Sequence, residues 1–449
     1  MDTSQIFKAY DVRGTYPDQL DEHVARAVGS AFADFAGSGT ILVARDMRES
    51  GVALSEAFAD GARRRGVTVI DLGLASTDLA YFASGYLDAP TAMFTASHNP
   101  AAYNGIKLCR AGARPIGADT GLREIERATR EYLAAPADGE LAPLHARDVM
   151  REWVAHVHSF IDVSALRGLR IVADTANGMG GLVAPAVFAG LPVEVEILYP
   201  ELDGSFPHHP ADPLNPQNLV DLQRRILETG ADIGLAFDGD ADRVFLVDER
   251  AQPISGSTTT AMVAAAMLLK HPGATILYNL ICSRAVPEVI DEAGGVGVRT
   301  RVGHSYIKQV MADTGAVFGG EHSGHYYYRD NYRADSGIIT AMIVLELLSR
   351  SSEPLSRVVA PFERYADSGE INTRVQDPAR VVAQLTARLR DSGEVLDELD
   401  GLTVEHDDWW FNLRPSNTEP LLRLNVEAET RESCDAHVAE VLDMIKEAS

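Results

Sequence analysis

The sequence predicts an α/β protein: three similar mixed α/β domains and a smaller C-terminal α+β domain around a central cleft. Three observations carry that expectation. Short apolar strands alternate with helix-length amphipathic segments through most of the chain, the mark of βαβ units and a mostly parallel sheet. Three of those strands end alike in a polar loop, as Phe94-Thr-Ala-Ser-His, Ala236-Phe-Asp-Gly-Asp and Phe318-Gly-Gly-Glu-His. In open α/β sheets, ligands gather at such strand ends. Near Ser368 the pattern changes to strand, helix, several strands and a final helix. At 449 residues the chain is too long for one core, and domains are expected at 1–146, 147–252, 253–366 and 367–449.

Element by element, Leu20, Val24, Val28, Ala31 and Phe35 recur at helical spacing, with Asp18 as cap and Gly37 as stop. Residues 40–44 read as a buried strand, followed by a polar turn over 45–51, a helix to Arg65 and a strand over 67–71. Residues 91–95 and 105–108 are short strands, 118–135 a helix, and 134–146, with two prolines and a glycine, a linker. A helix over 151–161 leads to a strand over 169–173 and a glycine-rich turn, Asp174 to Gly181. That turn lacks both the Rossmann glycine spacing and a P-loop lysine, so it serves strand-to-helix packing. A strand over 231–237, a helix over 256–270, a strand over 275–278 and helices over 335–350 and 432–446 complete the reading.

The formal charge is 40 − 65 = −25, which argues against nucleic acid, since a phosphate backbone needs a basic face. It does not exclude a small anion, because a cleft can carry a field opposite to the net charge. No apolar run reaches the length of a membrane span, and the N-terminus has no basic-then-apolar leader. Cys109, Cys282 and Cys434 are odd in number and far apart, with no metal-ligand spacing. A reduced, cytoplasmic protein is expected, with no membrane or nucleic-acid partner, as a monomer or homodimer.

Four loops carry chemistry. Ser97 follows a buried strand with His98 beside it and Lys107 ten residues on; by itself this could be a plain Ser-His-Asn-Pro turn. Asp238, Asp240 and Asp242 alternate after another strand, and three carboxylates so close repel unless a cation joins them. Oxygen ligands select Mg²⁺ or Ca²⁺ over zinc. An EF-hand fails because Arg243 stands where its glycine belongs and strands, not helices, flank the loop. Glu321, His322 and His325 resemble metal ligands but share no helical face, which argues against zinc. Arg414-Pro-Ser-Asn-Thr-Glu-Pro420 offers a guanidinium, hydroxyls and an amide, as a stationary phosphate requires.

Taken in order, Thr95-Ala-Ser-His-Asn-Pro with Tyr-Asn-Gly-Ile-Lys107, the three-aspartate loop, Glu321-His-Ser-Gly-His325 and Arg414-Pro-Ser-Asn-Thr-Glu-Pro420 resemble the signatures of the α-D-phosphohexomutase superfamily. The resemblance covers nearly the whole chain. It departs at Ala241, where a second glycine is usual, and at Ile281, near which some relatives carry a lysine. It implies that Ser97 carries a phosphoryl group and that Mg²⁺ sits on Asp238, Asp240, Asp242 and the serine phosphate. Lys107 would be the acid/base, its pKa lowered by a cationic setting, with Arg13, His98 and His304 assisting. Tyr10, Arg243, Glu321, Ser323, His325, Arg414, Ser416, Asn417, Thr418 and Arg423 would hold the hexose phosphate. A hexose 1,6-bisphosphate would serve as activator, and the C-terminal domain would close to exclude water. The Asn417 and Glu-x-Ser-Gly-His forms point to mannose phosphates, with glucose phosphates as alternative. Two other classes are a Mg²⁺-dependent sugar phosphatase and a non-catalytic sugar-phosphate sensor.

Overall fold

A computed structural model of the chain describes residues 3–416 and 421–449, apart from the side chains of His304 and Ser305. Four sheets follow one another along it, of seven, five, four and six strands. The first three share one device. In the first, Thr91–Phe94 runs parallel to Thr40–Arg45 and then returns antiparallel as Tyr103–Arg110. In the second, Ile233–Phe237 is parallel to Arg170–Asp174 and antiparallel to Val244–Asp248. In the third, Phe318–Gly320 is parallel to Thr275–Asn279 and antiparallel to Tyr326–Tyr328. Each of the first three chemistry-bearing loops is therefore the connection between a parallel strand and its antiparallel return. The feeding strands are buried on both faces, which is why they read as unbroken apolar runs. Strand direction leaves no trace in such a run, so the mostly parallel expectation missed the three returns.

The other departures are local. Asp21, not Asp18, caps the first long helix, Glu22–Ala36, its carboxylate accepting from the Val24 N–H at 2.8 Å. The turn before it is already closed by Gln19 and Leu20 N–H groups on the Thr15 carbonyl, which keeps Asp18 outside the helix. Gly37 does end that helix, at φ 58° in the left-handed region glycine favours. The expected linker finishes as a strand, Leu144–Ala146, parallel to Thr68–Leu74. Its side chains are exposed, so only the backbone pairing reveals it. The glycine-rich turn packs as anticipated, but against a loop: Met179 N–H bonds the Gly239 carbonyl at 2.8 Å, and a Cβ at Gly178 would meet that oxygen at 2.7 Å.

One apolar core runs through the first three sheets and their helices, containing Leu42, Met93, Trp153, Phe237, Phe318 and Met342. The last unit, an antiparallel sheet with helices Pro378–Asp391 and Arg431–Ala448, has a core of its own around Leu402, Phe411, Leu424 and Val441. A small cluster joins it to the third sheet, where Trp410 meets Leu280 and Ile281. No helix among the described residues is long and apolar enough to cross a membrane.

Candidate active site

Ser97 sits at the carboxyl end of Thr91–Phe94, in the left-handed region at φ 49°. A β-carbon there costs about 1 kcal/mol or more, so neighbouring contacts must hold the loop in place. Arg48 is one such holder. Its guanidinium is almost wholly buried and donates to the carbonyls of Ser97 (3.0 Å), Asn99 (2.7 Å), Pro100 (2.9 Å) and Tyr103 (2.9 Å). Asp46 balances its charge at 3.2 Å. The sequence reading passed over Arg48 as part of a polar turn, and no local pattern marks it.

The aspartate loop arrives from the second unit. Gly239 is the contact point: a Cβ there would lie 2.4 Å from the Ser97 carbonyl oxygen. The glycine is needed for that close approach, not only for a tight turn. Ser97 Oγ consequently donates to Asp238 Oδ2 at 2.8 Å. Arg243 Nη2 donates to Ser97 Oγ at 3.3 Å and to His98 Nδ1 at 2.6 Å, while its Nε holds Asp238 at 2.9 Å. Arg243, expected to hold the hexose phosphate, stands at one wall of the cavity, where its guanidinium also meets the serine, its histidine and the first aspartate. That guanidinium, and then burial, keep the His98 pKa well below its usual value, so the ring is neutral. Burial pushes the Asp238 carboxyl up to about 8 despite Arg243.

Lys107 reaches across to the other two aspartates, 2.8 Å from Asp240 and 2.7 Å from Asp242. The expected cationic setting is not what surrounds it. Burial favours the neutral amine, but the two carboxylates outweigh that and raise the lysine pKa well above normal. For Asp240 burial acts upward, yet the ammonium, with Thr77 Oγ1 donating at 2.5 Å, brings it below the usual carboxylate range. Asp240 Oδ1 and Asp242 Oδ1 are nevertheless buried with no hydrogen-bond partner among the described residues. Ligand atoms of the three aspartates lie within 4.8 Å of one another. An all-oxygen, multiply anionic set with unused buried acceptors fits a hard divalent cation.

The third loop lies opposite. Glu321 is 2% exposed and accepts from Tyr327 Oη at 2.7 Å, Gly303 N at 3.1 Å and Asn279 Nδ2 at 3.3 Å. Its carboxylate is thus tied into the wall, whereas Ser323 and His325, joined at 3.1 Å, face the cavity. Tyr326–Tyr328 is a buried strand in which Tyr327 also anchors Glu321, and neither it nor Asn279 was singled out from sequence. Tyr10 crosses from the first unit, its hydroxyl 3.5 Å from the Val302 carbonyl and its pKa raised to about 12 by burial and then by Tyr306. Arg13 donates to Asn99 Oδ1 at 2.8 Å and pairs with Asp11.

Of these residues, Tyr10, Arg13, His98, Arg243, Ser323 and His325 line a cavity of about 840 Å³. Arg13, Arg243, Arg414 and Arg423 line it together with Asp212, Asp367, Glu370, Asp400 and Glu427, so cationic and anionic groups alternate on its wall. Arg414 and Arg423 stand opposite each other on adjacent antiparallel strands. Ser416 N–H bonds the Leu421 carbonyl at 2.8 Å. Asn417 and Thr418 lie outside the described residues, as does the side chain of His304.

Comparison with known proteins gives this geometry its family. Residues 4–135, 151–252 and 255–365 match the phosphoglucomutase/phosphomannomutase alpha/beta/alpha domains I, II and III, and 370–444 match the C-terminal domain. The chain is 40% identical over 427 residues to phosphohexose mutases of Xanthomonas campestris pv. campestris, covering 95% of each. It is 39% identical over 439 residues to a phosphomannomutase of Salmonella montevideo, covering 95% of this chain and 96% of that one. A solved phosphoglucomutase/phosphomannomutase family protein from Burkholderia thailandensis superposes with TM-score 0.89 at 32% identity, covering 100% of this chain and 98% of the other. With all four domain types in order and full-length relatives on both measures, the chain belongs to the phosphoglucomutase/phosphomannomutase family and is an isomerase of the phosphohexomutase type.

Proposed function

We propose that the protein interconverts mannose 6-phosphate and mannose 1-phosphate through a phosphoserine at Ser97 and a hexose 1,6-bisphosphate intermediate. The observation that carries this is the Ser97 hydroxyl, presented at a strand end by one unit to the buried carboxylates of another, 2.8 Å from Asp238. Domains at 1–146, 147–252, 253–366 and 367–449 would bring the serine, the metal loop, the sugar loop and the phosphate loop. The mannose preference rests on relatives carrying the name phosphomannomutase; the name phosphoglucomutase/phosphomannomutase on the Burkholderia thailandensis protein favours a second activity on glucose phosphates.

Phosphoserine brings about −1.5 to −2 charges to the loop, and Arg243, 3.3 Å from Ser97 Oγ, is a cation beside it. Asp238, Asp240 and Asp242 would hold Mg²⁺, which when bound neutralises charge on the transferring phosphoryl group. In the first transfer the Ser97 Oγ–P bond breaks and a bond from phosphorus to a sugar hydroxyl oxygen forms. In the second, after the bisphosphate has turned, its other phosphate returns to Ser97. Lys107 would be the acid/base in this scheme, giving a proton to Ser97 Oγ as the Oγ–P bond breaks and taking the proton the sugar hydroxyl loses; neutral His98 is a hydrogen-bond acceptor beside the serine. Ser323 and His325 would meet the sugar, with Glu321 holding their loop. Arg414, Ser416, Asn417, Thr418 and Arg423 would hold the stationary phosphate.

The test compares kcat/KM for mannose 1-phosphate and glucose 1-phosphate, with Mg²⁺ and a hexose bisphosphate present. A strong mannose preference is expected. Equal values would make the enzyme a dual mutase, and inorganic phosphate released faster than isomer forms would make it a phosphatase.

A further inference from the structure

The two arginines that face each other in the C-terminal unit already hold an anion, and it belongs to the chain. Glu370 Oε2 accepts from Arg414 Nη2 at 2.8 Å, and Glu370 Oε1 lies 3.3 Å from Arg423 Nη1. All three residues line the cavity. Like charges directly opposite on paired strands repel, so the bridging carboxylate relieves an arrangement the sheet register imposes. The glutamate is placed by a tight turn, where Gly369 has φ +64° and its N–H bonds Asp367 Oδ1 at 2.9 Å. Its side chain is 24% exposed, against 9% for that of Arg414. The Nε atoms of Arg414 and Arg423 are buried without a hydrogen-bond partner among the described residues. The pair thus keeps donors in reserve that the two oxygens of a carboxylate do not use and the three of a phosphate could.

We infer that Glu370 is an intramolecular competitor for phosphate: it occupies the Arg414–Arg423 pair between turnovers and yields it to the incoming phosphate. This rests on the reading of that pair as the stationary-phosphate site. A carboxylate and a phosphate dianion do not share two guanidinium groups without strong repulsion. Binding therefore displaces Glu370, and its return drives the phosphate off. A bisphosphate that must let go and turn within the cleft needs such a release. Glu370 is a specificity and release element here, acting through the arginines and making no bond to the sugar.

The experiment uses the full chain with Glu370→Gln, which keeps shape and removes charge, Glu370→Ala, which removes the group, and Arg414→Met. For each, KM and kcat are measured with mannose 1-phosphate, together with the inhibition constant of inorganic phosphate. Losing the competitor should lower KM and the phosphate inhibition constant about tenfold in both Glu370 variants, with kcat reduced as release slows. Unchanged or weaker phosphate binding in both would overturn the inference and make Glu370 a mere support for the arginines. Arg414→Met should raise both constants. If it leaves both at the wild-type value, the phosphate site itself has been misassigned. If it raises them while neither Glu370 variant tightens binding, only the competitor idea fails.

Discussion

Ser97 is held in an unfavourable backbone conformation by residues that take no part in chemistry, and Arg48 is the chief of them. Replacing it by Met removes four bonds to loop carbonyls and strands Asp46 as a buried, unpaired carboxylate. Arg48→Met should cost about 3–5 kcal/mol in denaturant unfolding, with loss of turnover even where the protein remains folded. Ser97→Ala has a different signature. It should bind hexose phosphate normally, melt near the wild-type temperature and lose almost all turnover; near-normal activity would end the phosphoserine proposal.

At the scale of elements, the recurrent unit is a parallel strand, a polar loop and an antiparallel return, used three times with different residues in the loop. The loops work by touching one another, and the closest contact is Gly239 against the Ser97 carbonyl. Gly239→Ala forces those backbones apart, since real Cβ atoms do not approach an oxygen to 2.4 Å. The expected loss is about 1–3 kcal/mol of stability. A fall in kcat should exceed any rise in KM, because the displaced pair is the serine and the aspartate loop. A kcat at the wild-type level would mean that this register is not needed for transfer.

At the scale of the molecule, what matters is how the units are tied. Asp78, at the start of helix Thr77–Tyr86, accepts from Ser336 Oγ at 2.8 Å, joining the first unit to the helix Gly337–Arg350 of the third. Complete burial raises its pKa from 3.8 to about 7, against the hydrogen bonds of Ser76 and Ser336. A raised folded-state value means that the native protein keeps a proton that the unfolded chain has lost. This contribution to stability is full below pH 3.8 and disappears as pH rises through about 7. Asp78→Asn should flatten the dependence of the urea midpoint on pH between 4 and 7; an unchanged slope would assign the effect to other groups. The fourth unit is tied to the third by polar contacts, such as Arg284 N–H on Glu427 Oε1 at 2.9 Å and Val302 N–H on Asp400 Oδ2 at 3.2 Å, and by a small apolar cluster. Trp410 packs against Leu280 and Ile281 and donates to Glu427 Oε1 at 2.8 Å. Trp410→Ala, at about 3–5 kcal/mol for a buried aromatic, should raise KM and the fraction of phosphate lost to water, and abolish compaction by substrate in solution scattering.

Much of this protein is legible before any coordinates. The strands that feed the loops are unbroken apolar runs, so they declare themselves, and the loops that follow carry residue types with few uses: a serine beside a histidine, three alternating aspartates, an arginine-led turn. Element identity and the inventory of reactive groups are local properties of the chain. Charge state and allegiance are not. Lys107 is a bound ammonium because two aspartates more than 130 positions away enclose it. Arg243 meets Ser97 and His98 because the aspartate loop of the second unit packs on the serine loop of the first. Arg48, Tyr327, Asn279 and Glu370 acquire their parts only through partners distant in sequence or across a sheet. The amino-acid sequence by itself determined which elements form and which groups can react. Tertiary structure alone decided which group neutralises, anchors or competes with which, because electrostatic and hydrogen-bond energies depend on separations of a few ångströms that no local pattern encodes.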